Sequence, residues 1–119
     1  MNIQNFYDYC LAKKGVIEHF PFDEDTLVFK VGGKMFALSS LSQWEKNEPS
    51  INLKCDPERA MELRAEYEGI TPGYHMSKVH WNTVSVNSDV PLSLLKGLID
   101  HSYELVFKSL TKKIQAEIT

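Results

Sequence analysis

The residues with the most chemistry in this chain fall in one short stretch, Pro72-Gly73-Tyr74-His75-Met76-Ser77-Lys78-Val79-His80-Trp81, inside a run from Gly69 to Ser88 that contains no Asp or Glu. Lys78, joined by His75 and His80 when protonated, offers positive charge to phosphate oxygens, and Tyr74 or Trp81 offers a ring face to a base or ribose. That combination suits an anionic or nucleic-acid partner. Packing competes for the same rings. Large aromatic side chains are commonly buried and a tight Pro-Gly turn needs support, which favours a core role for Trp81 and Tyr74. His75 and Lys78, on a loop held by a rigid scaffold, gain less from packing and are the stronger binding candidates.

Further positive charge is scattered. Lys30 and Lys34 flank Gly32-Gly33, where they either carry a hairpin toward a phosphate backbone or simply block edge pairing. Lys108, Lys112 and Lys113 lie in a second acid-free run, Leu105 to Ala116, and read as a solvated helix face that complements a negative C-terminal end. His75 and His80 stand five apart, which fits neither a helical i, i+4 pair nor an alternating strand pair, so no metal site is expected. The chain has no GxSxG, HExxH, P-loop or GxGxxG pattern, and the expectation is a protein that is not an enzyme, with no catalytic residue and no cofactor.

These residues sit in a chain of 119 residues with 43% hydrophobic and 24% charged side chains, the profile of one domain spanning 1–119. A formal net charge of −3 excludes a globally basic nucleic-acid binder while leaving room for a local basic patch. Cys10 and Cys55 have no CxxC spacing and read as buried thiols of a reducing compartment. The start of the chain has no basic region followed by an apolar stretch, and no apolar run is long enough for a membrane helix. A cytoplasmic monomer is the expected form.

The elements that must position the stretch are legible from periodicity. Ile3, Phe6, Tyr7, Cys10 and Leu11 recur at helical spacing, with Gly15 available to end the helix. Val16 to Phe20 is strand-like, Pro21 and Asp23-Glu24-Asp25 break it, and Thr26 to Val31 forms a hairpin with Lys34 to Leu38 across Gly32-Gly33. A polar loop containing Trp44 precedes a fourth strand, Ile51 to Cys55. Asp56-Pro57-Glu58 opens a helix predicted to run to about Gly69, with Ala60, Met61, Leu63, the Arg64 stem and Tyr67 on its core face. Trp81 to Val86 alternates as a fifth strand, and the segment from Pro91 onward is helical, as one bent helix or two. The order α-β-β-β-β-α-β-α predicts an α+β fold: a single antiparallel sheet of about five strands with helices packed on one face.

Four segments then carry a family resemblance: Pro21-Phe22 with Leu27 to Val31 and Gly33 to Leu38; Leu53 to Glu58; Pro72 to Met76 with Lys78, His80, Trp81, Asn82, Thr83 and Val84; and Ser102-Tyr103 with Leu105-Val106. Together they resemble the MmcQ/YjbR family over nearly the whole chain. The resemblance implies a frataxin-like (CyaY-like) fold and a role in DNA binding through a "double-wing" surface. Ser77 and Val79 depart from the pattern, where Asn and a second Lys are common, and the missing Lys weakens the DNA reading. The first helix offers only Asp8 as an acid, so iron binding of the frataxin kind is not carried over. The nucleic-acid hypothesis therefore rests on Lys34, Tyr74, His75, Lys78, His80 and Trp81, as weak, sequence-tolerant DNA contact. The alternative is an acidic protein or an anionic small molecule on the same surface.

Overall fold

A computed structural model describes residues 1–119. Six strands, β1 (Val16–His19), β2 (Thr26–Val31), β3 (Lys34–Ser40), β4 (Ser50–Lys54), β5 (Ile70–Pro72) and β6 (Trp81–Ser85), form one sheet. Their spatial order is β1-β2-β3-β4-β6-β5, and every pairing is antiparallel. The helices are α1 (Ile3–Leu11), α2 (Leu41–Glu45), α3 (Pro57–Glu66), α4 (Leu92–Ser109) and α5 (Lys112–Ile118). The result is an α+β fold with an open antiparallel sheet and helices on one face. No helix is long and apolar enough to cross a membrane.

Strand alternation divides the apolar side chains between the two faces. Leu27, Phe29, Val31, Ile51, Leu53 and Val84 join Phe6 and Cys10 of α1 and Leu95, Ile99 and Val106 of α4 in the main core. On the other face Val28, Leu38 and Trp81 form a smaller cluster, with Met35 and Met76 packed against it. A bulge opposite the Phe29–Lys30 step leaves Phe36 as the extra residue on β3, so Phe36 and Ala37 both belong to the main core.

The β3–β4 ladder is short, with Ala37 opposite Leu53 and Leu38 opposite Asn52. Beyond it the buried Ser102 hydroxyl of α4 inserts between the strands, donating to the Phe36 carbonyl at 2.6 Å and accepting the Lys54 N–H at 2.9 Å. A helix side chain thus completes the pairing that the strands leave unmade.

Several expectations change. The sheet has six strands rather than about five, because Ile70–Pro72 pairs with β6. It is an edge strand, where a proline without an N–H is tolerated. The helix opened by Asp56-Pro57 ends at Glu66, and Tyr67 is already extended. The N–H groups of Glu68 and Gly69 then go to the Asp89 carboxylate, both at 2.8 Å. Met61 is 68% exposed rather than in the core, since Ala60 and Leu63 supply the buried face of α3. The loop containing Trp44 holds the short α2. Of the two forms expected for the C-terminal helical region, the structure has the second, two helices broken at an extended Leu110.

Candidate functional site

The face of the sheet without helices is partly roofed by the loop 72–81, and between them lies a cavity of about 480 Å³. Its floor is built from alternating outward residues of three strands, Leu38, Ser40, Asn52 and Thr83, with Ser39 and Ser50 beside them. Tyr74, His75 and Met76 of the loop form one wall. Phe22, Asp25, Thr26 and Gln43 close the opposite side.

The loop is held in place by bonds to both sheet and helix. Met76 rests on the Val28, Leu38 and Trp81 cluster. The Tyr74 N–H donates to Thr83 Oγ1 at 2.9 Å, the Thr83 hydroxyl donates to Asn52 Oδ1, and Asn52 Nδ2 donates back to the Tyr74 carbonyl at 3.4 Å. Gly73 N–H donates to the Trp81 carbonyl at 2.8 Å. A Cβ on Gly73 would stand 2.7 Å from the Trp81 Cβ, so this close approach requires glycine. From beneath, the Arg64 guanidinium donates to Asn82 Oδ1 at 2.6 Å, to the Trp81 carbonyl at 3.1 Å and to the Lys78 carbonyl.

His75 has φ +58, a left-handed conformation uncommon for a residue with a Cβ and frequently found at functional positions. It brings the His75 and Tyr74 rings to 4.0 Å between centroids at a 52° tilt. Across the cavity, Asp25 is surrounded by donors: the Ser40 hydroxyl, the Ser42 N–H at 2.8 Å and the Ser42 hydroxyl at 3.1 Å. These bonds, the Ser40 hydroxyl foremost, hold its carboxyl below the ordinary value.

The six residues nominated from the sequence do not converge. Tyr74, 68% exposed, and His75 line the cavity. Trp81 is 9% exposed and packs on Val28 and Leu38. Lys78 is exposed, with its Nζ donating to the Gly73 carbonyl at 2.9 Å, so its ammonium is engaged within the loop. His80 is exposed and gives its carbonyl to the Cys55 N–H at 2.8 Å, and Lys34 is exposed at the β2–β3 turn. Neither lines the cavity. Phe22, Asp25, Gln43, Asn52 and Thr83 were missed. They come from four segments joined only by folding, the β1–β2 connection, α2, β4 and β6, although Pro21-Phe22 and Thr83 belonged to the segments carrying the resemblance. Cys10 and Cys55 are free and buried, and burial pushes the Cys10 thiol up to about 12. No three His, Cys, Asp or Glu side chains converge as a metal-ligating group.

An open antiparallel sheet, helices on one face and a loop-roofed cavity on the other, defines a class of small α+β domain whose strand face is left accessible. Within that class the YjbR family model matches residues 11–105, and the chain belongs to this MmcQ/YjbR family. It is 40% identical over 99 residues to the Escherichia coli O157:H7 protein YbdF, covering 83% of this chain and 79% of that one. Identity to YjbR of Escherichia coli K12 is 33% over 104 residues, 87% of this chain and 86% of that one. A Deinococcus radiodurans crystal structure with the DUF419 domain superposes with a TM-score of 0.91 at 40% identity, covering 98% of this chain and 87% of that one. A Pseudomonas syringae crystal structure gives 0.74 at 30% identity, covering 89% and 99%.

Proposed function

We propose that this protein is a binding protein rather than an enzyme, and that it holds a small organic ligand in the cavity under the 72–81 loop. The observation that carries the reading is the lining: two exposed aromatic side chains, Phe22 and Tyr74, face a floor of hydroxyl and amide groups in a volume of ligand size. No Lys or Arg lines the cavity, and Asp25 does. An uncharged ligand therefore fits better than the anionic one expected from sequence, because an anion there would face a carboxylate without a Lys or Arg to offset it. Amide chemical-shift mapping with a library of neutral fragments tests this. Shifts gathered at Asn52, Tyr74, His75 and Thr83 are the expected result, and fragments that bind only elsewhere would refute it.

DNA contact is the second reading, favoured by one observation: Tyr74, His75, Lys78 and His80 are all exposed on a loop free of acids. With the Lys78 ammonium already bonded to Gly73, the free cations are Lys34 and the protonated histidines, so binding would be weak and sequence-tolerant. A salt titration of labelled duplex should give a slope of about −1 to −3 in log K against log salt. Absence of binding at low salt would remove this reading and leave the first intact. Both readings take the protein as a cytoplasmic monomer; the two free buried thiols are in keeping with a reducing compartment.

A further inference from the structure

We infer that the ligand of this cavity is a planar, uncharged heterocycle with hydrogen-bonding groups on its edge, the chemistry of a nucleobase, presented either as a free nucleoside or as an unpaired base of a single strand. The inference rests on the ligand-binding reading above and narrows its chemistry.

The polar lining is largely spent within the protein. Thr83 and Asn52 satisfy each other and the Tyr74 backbone. The Ser39 hydroxyl donates to the Ser50 carbonyl at 2.6 Å and accepts the Trp44 indole N–H at 2.8 Å. A ligand rich in hydroxyls, such as a sugar, would find few free partners and would lose its own hydration.

What remains free is of a different kind. Gln43 accepts from the Ser50 hydroxyl at 3.0 Å through Oε1, and its NH2 group has no partner and can donate to a ring acceptor. The His75 imidazole makes no hydrogen bond, and Asp25 Oδ1, which accepts only the Ser42 N–H while Oδ2 takes both serine hydroxyls, keeps a lone pair for a ring N–H or amino group. Phe22 and Tyr74 are 63% and 68% exposed, unusual for large aromatic side chains in a domain with an otherwise well-buried core. Their faces give a ligand plane something to stack on, a contact any base can make. The cavity without Lys or Arg would accept the heterocycle and leave a phosphate outside it, so the charged part of a nucleotide or strand would stay in solvent.

Adenosine, uridine and glucose are the probes, with chemical shifts at the Asn52, Tyr74 and Thr83 amides as the readout and with single-stranded and duplex oligonucleotides as further arms. Both nucleosides should shift these amides and glucose should not. Tyr74→Ala should weaken nucleoside binding about tenfold, the loss of one stacking contact, whereas Tyr74→Phe should bind as the parent does. Because Tyr74 is exposed, Tyr74→Ala should remain folded, and its unchanged unfolding midpoint would establish that. A single strand that binds more tightly than the nucleosides and loses affinity in Tyr74→Ala identifies the strand as the source. Nucleosides that bind as tightly as the strand identify a free metabolite. Neutral fragments that shift the cavity amides while both nucleosides and single strand fail would overturn this inference and leave the ligand-binding reading standing. Failure of every probe and fragment at these amides would overturn both.

Discussion

Arg64 and Asn82 meet under the sheet, the guanidinium Nε of α3 donating to the buried carboxamide oxygen of β6 at 2.6 Å. The same guanidinium holds the Lys78 and Trp81 carbonyls, so one side chain fixes the far end of the loop that roofs the cavity. Arg64→Met keeps much of the aliphatic stem and removes the donors. It should lower stability by about 2 to 3 kcal/mol, the usual loss when a charged donor leaves buried partners unpaired. Amide exchange should accelerate at Trp81 by more than the global loss of stability alone accelerates it in the helix-face core. Urea unfolding and hydrogen exchange check both; unchanged exchange at Trp81 would show that the loop does not depend on Arg64.

Ser102→Ala removes a hydroxyl that serves a carbonyl on one strand and an N–H on the next. Two buried backbone groups lose their partner without room for a replacement, so the expected destabilisation is about 2 to 4 kcal/mol. Ser102→Thr keeps the hydroxyl and adds a methyl to a fully buried position, a change expected to cost about 1 to 3 kcal/mol by overpacking. Equilibrium denaturation of Ser102→Ala is the measurement, and a loss under about 0.5 kcal/mol would mean that water takes over the bridge.

Stability should fall on the acidic side in two stages. His101 Nε2 accepts the Asp56 N–H at 3.2 Å, and burial, with Arg59 next, holds its pKa below the ordinary 6.5 while Asp56 pulls the other way. A depressed histidine favours the neutral folded form. Its contribution is complete above about 6.5 and is lost as pH falls through the folded value. Asp23, Asp25 and Asp89 are also lowered, from 3.8, chiefly by hydrogen bonds from Thr26, Ser40 and Gly69. They act at lower pH, with stability present above 3.8 and lost as pH falls through their folded values. Urea midpoints measured from about pH 8 to 5 should decline for the parent and stay flatter for His101→Gln; parallel curves would exclude His101 as the cause.

Gly32 and Gly33 share a turn and differ in surroundings. Both have positive φ, +57 and +81, but a Cβ on Gly32 would stand 2.5 Å from a Leu110 methyl while one on Gly33 meets open space. Gly33→Ala should cost about 1 to 2 kcal/mol for the left-handed backbone alone. Gly32→Ala adds displacement of the buried Leu110 and should cost more, about 2 to 4 kcal/mol. Thermal melts of the pair decide it, and equal losses would mean that Leu110 moves aside freely.

The local signals in this chain were strong where short-range chemistry dictates structure. Apolar spacing from Ile3 to Leu11 marks α1, the glycine pair marks the β2–β3 turn, and Asp56-Pro57 marks the start of α3. The three-residue β5 had too few positions to show alternation, and α2 had too few to show a helical stripe. Arg64 looked like an aliphatic stem on a packed face because its acceptors, two of them backbone carbonyls of a distant loop, have no sequence signature. Lys78 read as free charge for the same reason. The cavity was legible only on its loop side, through Tyr74 and His75, since Phe22, Asp25 and Gln43 reach it by tertiary packing.

The brief β3–β4 ladder gives the sheet a seam. On one side lies the leaf β1-β2-β3 and on the other the leaf β4-β6-β5, stitched by two residue pairs and by the Ser102 and Ser39 hydroxyls. The cavity straddles that seam, drawing Leu38 and Ser40 from the first leaf and Asn52 and Thr83 from the second. An occupant would therefore act as a rivet between two plates, and the stiffness of the whole sheet would report whether the cavity is filled.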